Sequence, residues 1–276
     1  MKRFSFWITL AAILGVAGLG HVALADGTEE LGTPGITIAG GTGLLAAGTG
    51  TEAGNAGTIE ITVPADKTVE EVILYWVGRP QPDTVPVPSE PTMTIMVNEQ
   101  MVIGDLIGGG AVYVGQENNP TPPPGQIPVD VPINALTYRA VITGLDLIQP
   151  GVAATIEVSG VDFGFGGTTA TRSDGATVVV VTGDDSDGVI DIRDGCDFAW
   201  ANERRMIGQP DAGKVFGTEP VIFTVAAAPE DRMATVWLLV GDIYTDLPHT
   251  LVYAVDGVIE VVPNPFTEGN SDGPRG

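Results

Sequence analysis

Polar and apolar residues alternate in several short stretches along the chain. Over 58–63, Ile59, Ile61 and Val63 alternate with Thr58, Glu60 and Thr62, the period-2 signature of a half-buried strand. Val69–Gly78 is a stronger strand that ends in aromatics, and Ala154–Val158 alternates again. Ala176–Thr182 contains Val178–Val181 in a row, an uninterrupted β-branched run expected of a strand buried on both faces. Thr92–Val97 and Gln100–Ile103 flank Asn98-Glu99 and predict a hairpin around an Asn turn. Further strands are expected at Ala135–Thr143, Val189–Ile192, Val221–Ala226, Met233–Gly241, Thr250–Val255 and Val258–Val262. Phe198–Ile207 reads as a short helix, and Asp146–Gln149 as a single helical turn before Pro150-Gly151. Gly108–Gly110 and the proline-rich stretches at 80–91 and 118–128 read as turns and loops, because proline cannot donate to a central ladder.

Many short strands without strand–helix–strand alternation predict an all-β chain, an antiparallel β-sandwich of jelly-roll-like kind with at most one or two short helices. Segment 26–57 is rich in Gly, Ala and Thr and reads as a first strand plus loops. The sandwich domain is expected over 58–265, with a polar tail over 266–276. Its core is expected from the Val/Ile runs at 72–77, 178–181 and 236–240.

The first residues have a different character. Lys2 and Arg3 precede a nearly continuous apolar stretch from Phe6 to Leu19, and Ala23-Leu24-Ala25 supplies small residues where a signal peptidase reads. Residues 1–25 therefore read as a secretory signal peptide cleaved after Ala25, which predicts a secreted, extracellular or periplasmic protein. No later segment reaches about 18 uncharged apolar residues, so no stable membrane insertion is expected after cleavage. Export permits disulfides, yet Cys196 is the only cysteine. An intramolecular disulfide and a multi-cysteine zinc site are both excluded, and Cys196 reads as a small packed side chain.

The chain of 276 residues carries 35 acidic and 12 basic side chains, a formal charge of −23. Removing residues 1–25, which hold two bases and no acid, leaves 10 against 35, or −25. Such a field repels phosphate backbones and excludes nucleic acid as a partner. Gly (38) and Pro (21) suit many turns, and 43% hydrophobic content is ample for a core.

Five segments occur in an order with a known counterpart: Val72–Trp76 (VILYW), Met96–Asn98 (MVN), Tyr138–Thr143 (YRAVIT), Gly175–Val181 (GATVVVV) and Ile192–Gly195 (IRDG). The set resembles an uncharacterised β-sandwich domain of secreted and surface-attached bacterial and archaeal proteins. The likeness covers roughly residues 58 to 265. It implies a sandwich fold and an extracellular setting, and it brings no catalytic residues with it. In those proteins the domain often stands ahead of repeats or a surface anchor. Neither is expected here, which leaves simple secretion or assembly through partners.

The sharpest local chemistry is the acidic turn Asp184-Asp185-Ser186-Asp187-Gly188 with Asp191, Asp194 and Asp197 beyond it. Calcium takes several hard oxygen ligands on a tight loop, so Asp185, Asp187, Asp191 and Asp194 form a candidate Ca²⁺ set. The competing reading is a solvated acidic hairpin turn. Tyr75 and Trp76 could stack on a sugar, or serve as core. Trp200 stands near Arg204 and Arg205, whose simplest account is pairing with local carboxylates. After cleavage His249 is the only histidine, and no Gly-x-Ser-x-Gly elbow, His-Glu-x-x-His or P-loop motif occurs.

The expectation is therefore a secreted, non-enzymatic structural or cell-surface interaction module with an extracellular protein or glycan partner. A calcium-dependent carbohydrate-binding sandwich is the alternative. A glycan-active hydrolase built on two carboxylates is the weaker one.

Overall fold

The computed structural model describes residues 31–51, 55–78, 93–115, 131–163, 173–184, 188–197, 200–201, 215–216, 218, 220–224, 234–241, 250–255, 257–263 and 265. These residues form an antiparallel β-sandwich. Its first sheet contains β1 (Gly43–Thr49), β9 (Ser173–Gly183), β3 (Thr68–Gly78), β7 (Val131–Val141) and β6 (Asp105–Gly115), in that order. Its second contains β2 (Gly57–Thr62), β8 (Ala153–Ser159), β4 (Thr94–Val97) and β5 (Gln100–Ile103). Two small ladders stand apart from these sheets. One pairs β10 (Trp200–Ala201) with β11 (Val215–Phe216), and the other is the hairpin β12 (Thr250–Val255) with β13 (Val258–Pro263).

The main core lies between the two large sheets, and the period-2 pattern builds it. Val72, Leu74 and Trp76 of β3 point inward with Val178 and Val180 of β9 and Tyr138 of β7. Ile59 and Ile61 of β2, Ile156 and Val158 of β8, and Ile95 and Val97 of β4 answer from the facing sheet. Trp76 stacks on Tyr138 with ring centroids 5.6 Å apart and planes 12° from parallel. The opposite parity of the same strands feeds a second, smaller cluster on the outer face. Ile73, Tyr75 and Val179 are covered there by Ile38, Ile107 and Ile192. β9 is thus buried on both faces, as its unbroken valine run predicts.

The turn between β4 and β5 is the one the sequence pattern predicts. Val97 pairs with Gln100, and Asn98 and Glu99 both take positive φ, 44° and 63°. Two positive-φ residues match the right-handed twist of the flanking strands. Asn98 also accepts the Glu157 N–H at 2.7 Å, which ties the turn to β8.

Several sequence expectations are corrected. Gly108–Gly110 is not a turn: it lies inside β6, which bends by register shifts at Leu106/Gly108 and Ala111/Tyr113. The helical turn is Thr143–Leu145, three residues earlier than expected, and Asp146 ends it in the left-handed region. Within the expected helix 198–207, Trp200–Ala201 is extended and paired with Val215–Phe216, and the rest falls outside the described residues. Residues 189–192, 221–224 and 234–240 form no ladder, although each pattern predicts a strand. The run 236–240 is also not core: Val236, Trp237, Leu238, Leu239 and Val240 are all exposed, Val236 at 68%. Its pattern fits a buried strand, but among the described residues no sheet receives it. The proline-rich stretches 80–91 and 118–128, the leader 1–25 and the tail 266–276 lie outside the described residues.

Candidate functional site

The polar groups that the fold gathers lie on the outer face of the five-stranded sheet. β3 and β7 set Tyr75 directly opposite Arg139, at positions whose neighbours on either side point into the main core. Both side chains therefore point outward by parity, yet both are buried. The segment after β9 covers them. Gly32 and Asp194 form a two-way backbone bridge, each N–H donating to the other's carbonyl at 2.9 Å. Asp194 is thereby held over the sheet. The Arg139 guanidinium donates to Asp194 Oδ2 at 2.6 Å, and the Tyr75 hydroxyl donates to the same oxygen at 3.1 Å. The ion pair is nearly closed to solvent, with 6% of the Arg139 side chain and 10% of the Asp194 side chain exposed.

Electrostatics make this cluster self-contained. Burial pushes the Tyr75 phenol well above its ordinary range, the charge and hydrogen bond of Asp194 add to that shift, and Arg139 opposes it. Tyr75 consequently stays protonated and acts as a donor. Nearby, the buried Glu71 accepts the Ala39 N–H at 2.5 Å, which fixes the early segment against β3. Beside the cluster, Gly108 lies so close to the covering segment that a Cβ there would stand 2.4 Å from the Cys196 nitrogen. Cys196 is buried, in keeping with a packed side chain.

A second polar group closes the sheet's end. Lys67 precedes β3 and Asp184 follows β9, strands that pair antiparallel, so the two residues face each other. Lys67 Nζ donates to Asp184 Oδ2 in an ion pair, and Thr42 donates to Oδ1 at 2.6 Å. Thr42 Oγ1 in turn accepts the Asp184 N–H at 3.0 Å. The hydrogen bond to Asp184 holds the Lys67 ammonium above its usual range.

The four candidate calcium ligands do not share one setting. Asp185 and Asp187 lie outside the described residues. Asp191 meets Arg193 through both guanidinium nitrogens, Nη2 reaching Oδ2 at 3.0 Å. Asp194 is bound to Arg139 and Tyr75, as above. Among the described residues no group of three or more His, Cys, Asp or Glu side chains converges to hold a metal. Tyr75 and Trp76 are both buried, so they serve as core and present no stacking face to a sugar. The side chain of Trp200, together with Arg204, Arg205 and His249, lies outside the described residues.

No family model, no curated protein and no solved structure matches this chain.

The site unites residues the sequence keeps far apart. Tyr75 belongs to the VILYW segment, Arg139 to YRAVIT and Asp194 to IRDG, so three of the five singled-out segments each supply one polar side chain. The sequence pattern presents Asp194 as a candidate calcium ligand and gives no partner for Arg139. The signal was present: Arg139 is the one charged residue of its strand, and an arginine buried there, in a chain with so few bases, needs a carboxylate partner.

Proposed function

We propose that this chain is an exported, non-enzymatic structural or interaction module of the cell exterior. The observation that carries the reading is the Arg139–Asp194–Tyr75 cluster. Its charges and donors are turned on one another, and they fasten the 188–197 segment to the sheet. A catalytic carboxylate must instead offer a lone pair along an open path to a bound reactant. The leader-like first 25 residues support export, and the ordered set of short segments supports membership in the surface-associated sandwich group that the chain resembles. In this reading the sandwich domain takes in β1 (Gly43–Thr49) ahead of the expected span 58–265, and Asp26 begins the mature chain.

Two measurements test it. Amino-terminal sequencing of the protein recovered outside the cytoplasm should begin at Asp26. A panel of glycoside, ester and peptide substrates should show no turnover by the purified chain. Reproducible turnover that disappears when a described carboxylate is substituted would overturn the reading.

A further inference from the structure

Met93, Met96 and Met101 lie close together in the sequence, yet the fold gives them three different settings. Ile95 and Val97 of β4 and Val102 of β5 point into the main core, so by parity Met96 and Met101 point outward. These two sit directly opposite each other across the β4–β5 ladder. Met93 has the other parity and packs against the main core.

Neighbours separate the two outward thioethers. Met96 is flanked on both sides, by Met101 of β5 and by Ser159 of β8. Its Cγ also lies 3.8 Å from where a Cβ on Gly160 would stand, so it rests against the backbone that follows β8. Among the described residues β5 is the outermost strand of its sheet, so Met101 has a cross-strand neighbour on one side only. Met101 is accordingly 66% exposed, whereas Met96 is half-buried.

We propose that Met101, followed by Met96, is a sacrificial oxidation site that takes up peroxide oxygen at the edge of the sheet without loss of the fold. The inference goes beyond the reading of the chain as an exported module and stands without it. A thioether needs no deprotonation to act as a nucleophile, so exposure governs its reactivity. The Met101 Sδ lone pair attacks one oxygen of a hydroperoxide. The S–O bond forms as the O–O bond breaks, and the proton on the transferred oxygen passes to the departing one, which leaves as water or an alcohol. Sulfur is oxidised by two electrons and the peroxide is reduced by two. The competing sulfur nucleophile, the Cys196 thiol, is buried. A formal charge of −23 disfavours anionic oxidants, which makes neutral hydroperoxides the fitting class. Position also explains why the fold tolerates the product. A sulfoxide is polar and is costly where it meets apolar side chains without hydrogen-bond partners. On the outward side of an edge strand its oxygen stays in water, but at Met93 it would press against the main core.

The test exposes the purified chain to excess hydrogen peroxide at neutral pH, stops the reaction with free methionine and maps the peptides by mass. Met101 should gain one oxygen at roughly the rate of free methionine, Met96 several-fold more slowly, and Met93 at least about tenfold more slowly. Met101→Leu should remove the fast phase from this segment, and circular dichroism establishes that the variant is folded. The thermal midpoint should not follow the extent of oxidation at Met101. Equal rates at Met101 and Met93, a Met101 slower than Met96, or a peroxide-induced fall in the midpoint that Met101→Leu abolishes would each overturn the proposal. Oxygen uptake is stoichiometric and involves no turnover, so its failure leaves the non-enzymatic reading to its own test.

Discussion

Asp194 shows what a buried carboxylate requires. Removing Arg139 or Asp194 alone strands the partner's charge away from water, and breaking a buried pair in this way costs about 3–5 kcal/mol. Asp194→Ala should therefore lower the thermal midpoint by roughly 10 °C, at about 2–4 °C per kcal/mol for a domain of this size. The double variant Arg139→Met/Asp194→Leu should recover much of that loss, because an apolar pair leaves no unpaired charge. A double variant as unstable as the single would show that the cluster acts through something other than its charges. The phenols supply a pH readout. Burial raises the pKa of Tyr75 and of Tyr138, Asp194 adding to the rise at Tyr75, so the folded state holds these protons more tightly than the unfolded chain. Their contribution to stability is complete below the ordinary tyrosine value of about 10 and is lost as pH climbs above it. Among the five tyrosines, Tyr75 and Tyr138 should ionise only as the chain unfolds, read as a late step in phenolate absorbance. Tyr75→Phe should remove half of that step.

Gly104 shows the constraint at the scale of elements. It joins β5 of one sheet to β6 of the other, so the chain changes sheets at this corner. A Cβ at Gly104 would stand 2.1 Å from the Trp76 ring and 3.0 Å from the Arg139 carbonyl. The tryptophan fills the core against Tyr138 and has little room to retreat. Gly104→Ala should cost about 1–3 kcal/mol by overpacking, visible as an earlier urea midpoint with an unchanged slope. An unaltered midpoint would mean that the corner tolerates displacement of Trp76. Most strands of the two large sheets were legible in the sequence, because alternation such as Ile59/Ile61/Val63 records one buried face. β6 was not. Its glycines suggest a turn, but Gly108 leaves no room for a Cβ against the Cys196 segment, and Gly109 takes a φ of 106° within the strand.

At the scale of the whole molecule, charge sets the terms. Net self-repulsion makes the fold sensitive to cations in general, by screening. A specific calcium site at Asp185, Asp187, Asp191 and Asp194 would need Asp191 to leave Arg193 and Asp194 to leave Arg139. In thermal melts at fixed NaCl of about 0.15 M, calcium up to about 1 mM should consequently leave the midpoint unmoved. A rise that saturates, and that Asp185→Asn/Asp187→Asn abolishes, would instead show that calcium binds there.

The sequence alone determined the all-β class, most of the main strands and two of the three runs expected in the core, 72–77 and 178–181. Alternation and β-branched runs are local records of which side of a strand meets water, and they survive without knowledge of the partner strand. Tertiary structure decided the rest. It made Asp194 a fastening, because Tyr75 and Arg139 become neighbours only when β3 pairs with β7. It left Val236–Val240 outside the core, although its pattern matches that of the buried Val178–Val181. An apolar run states that a strand seeks cover, but which surface supplies the cover depends on pairings made across the whole chain.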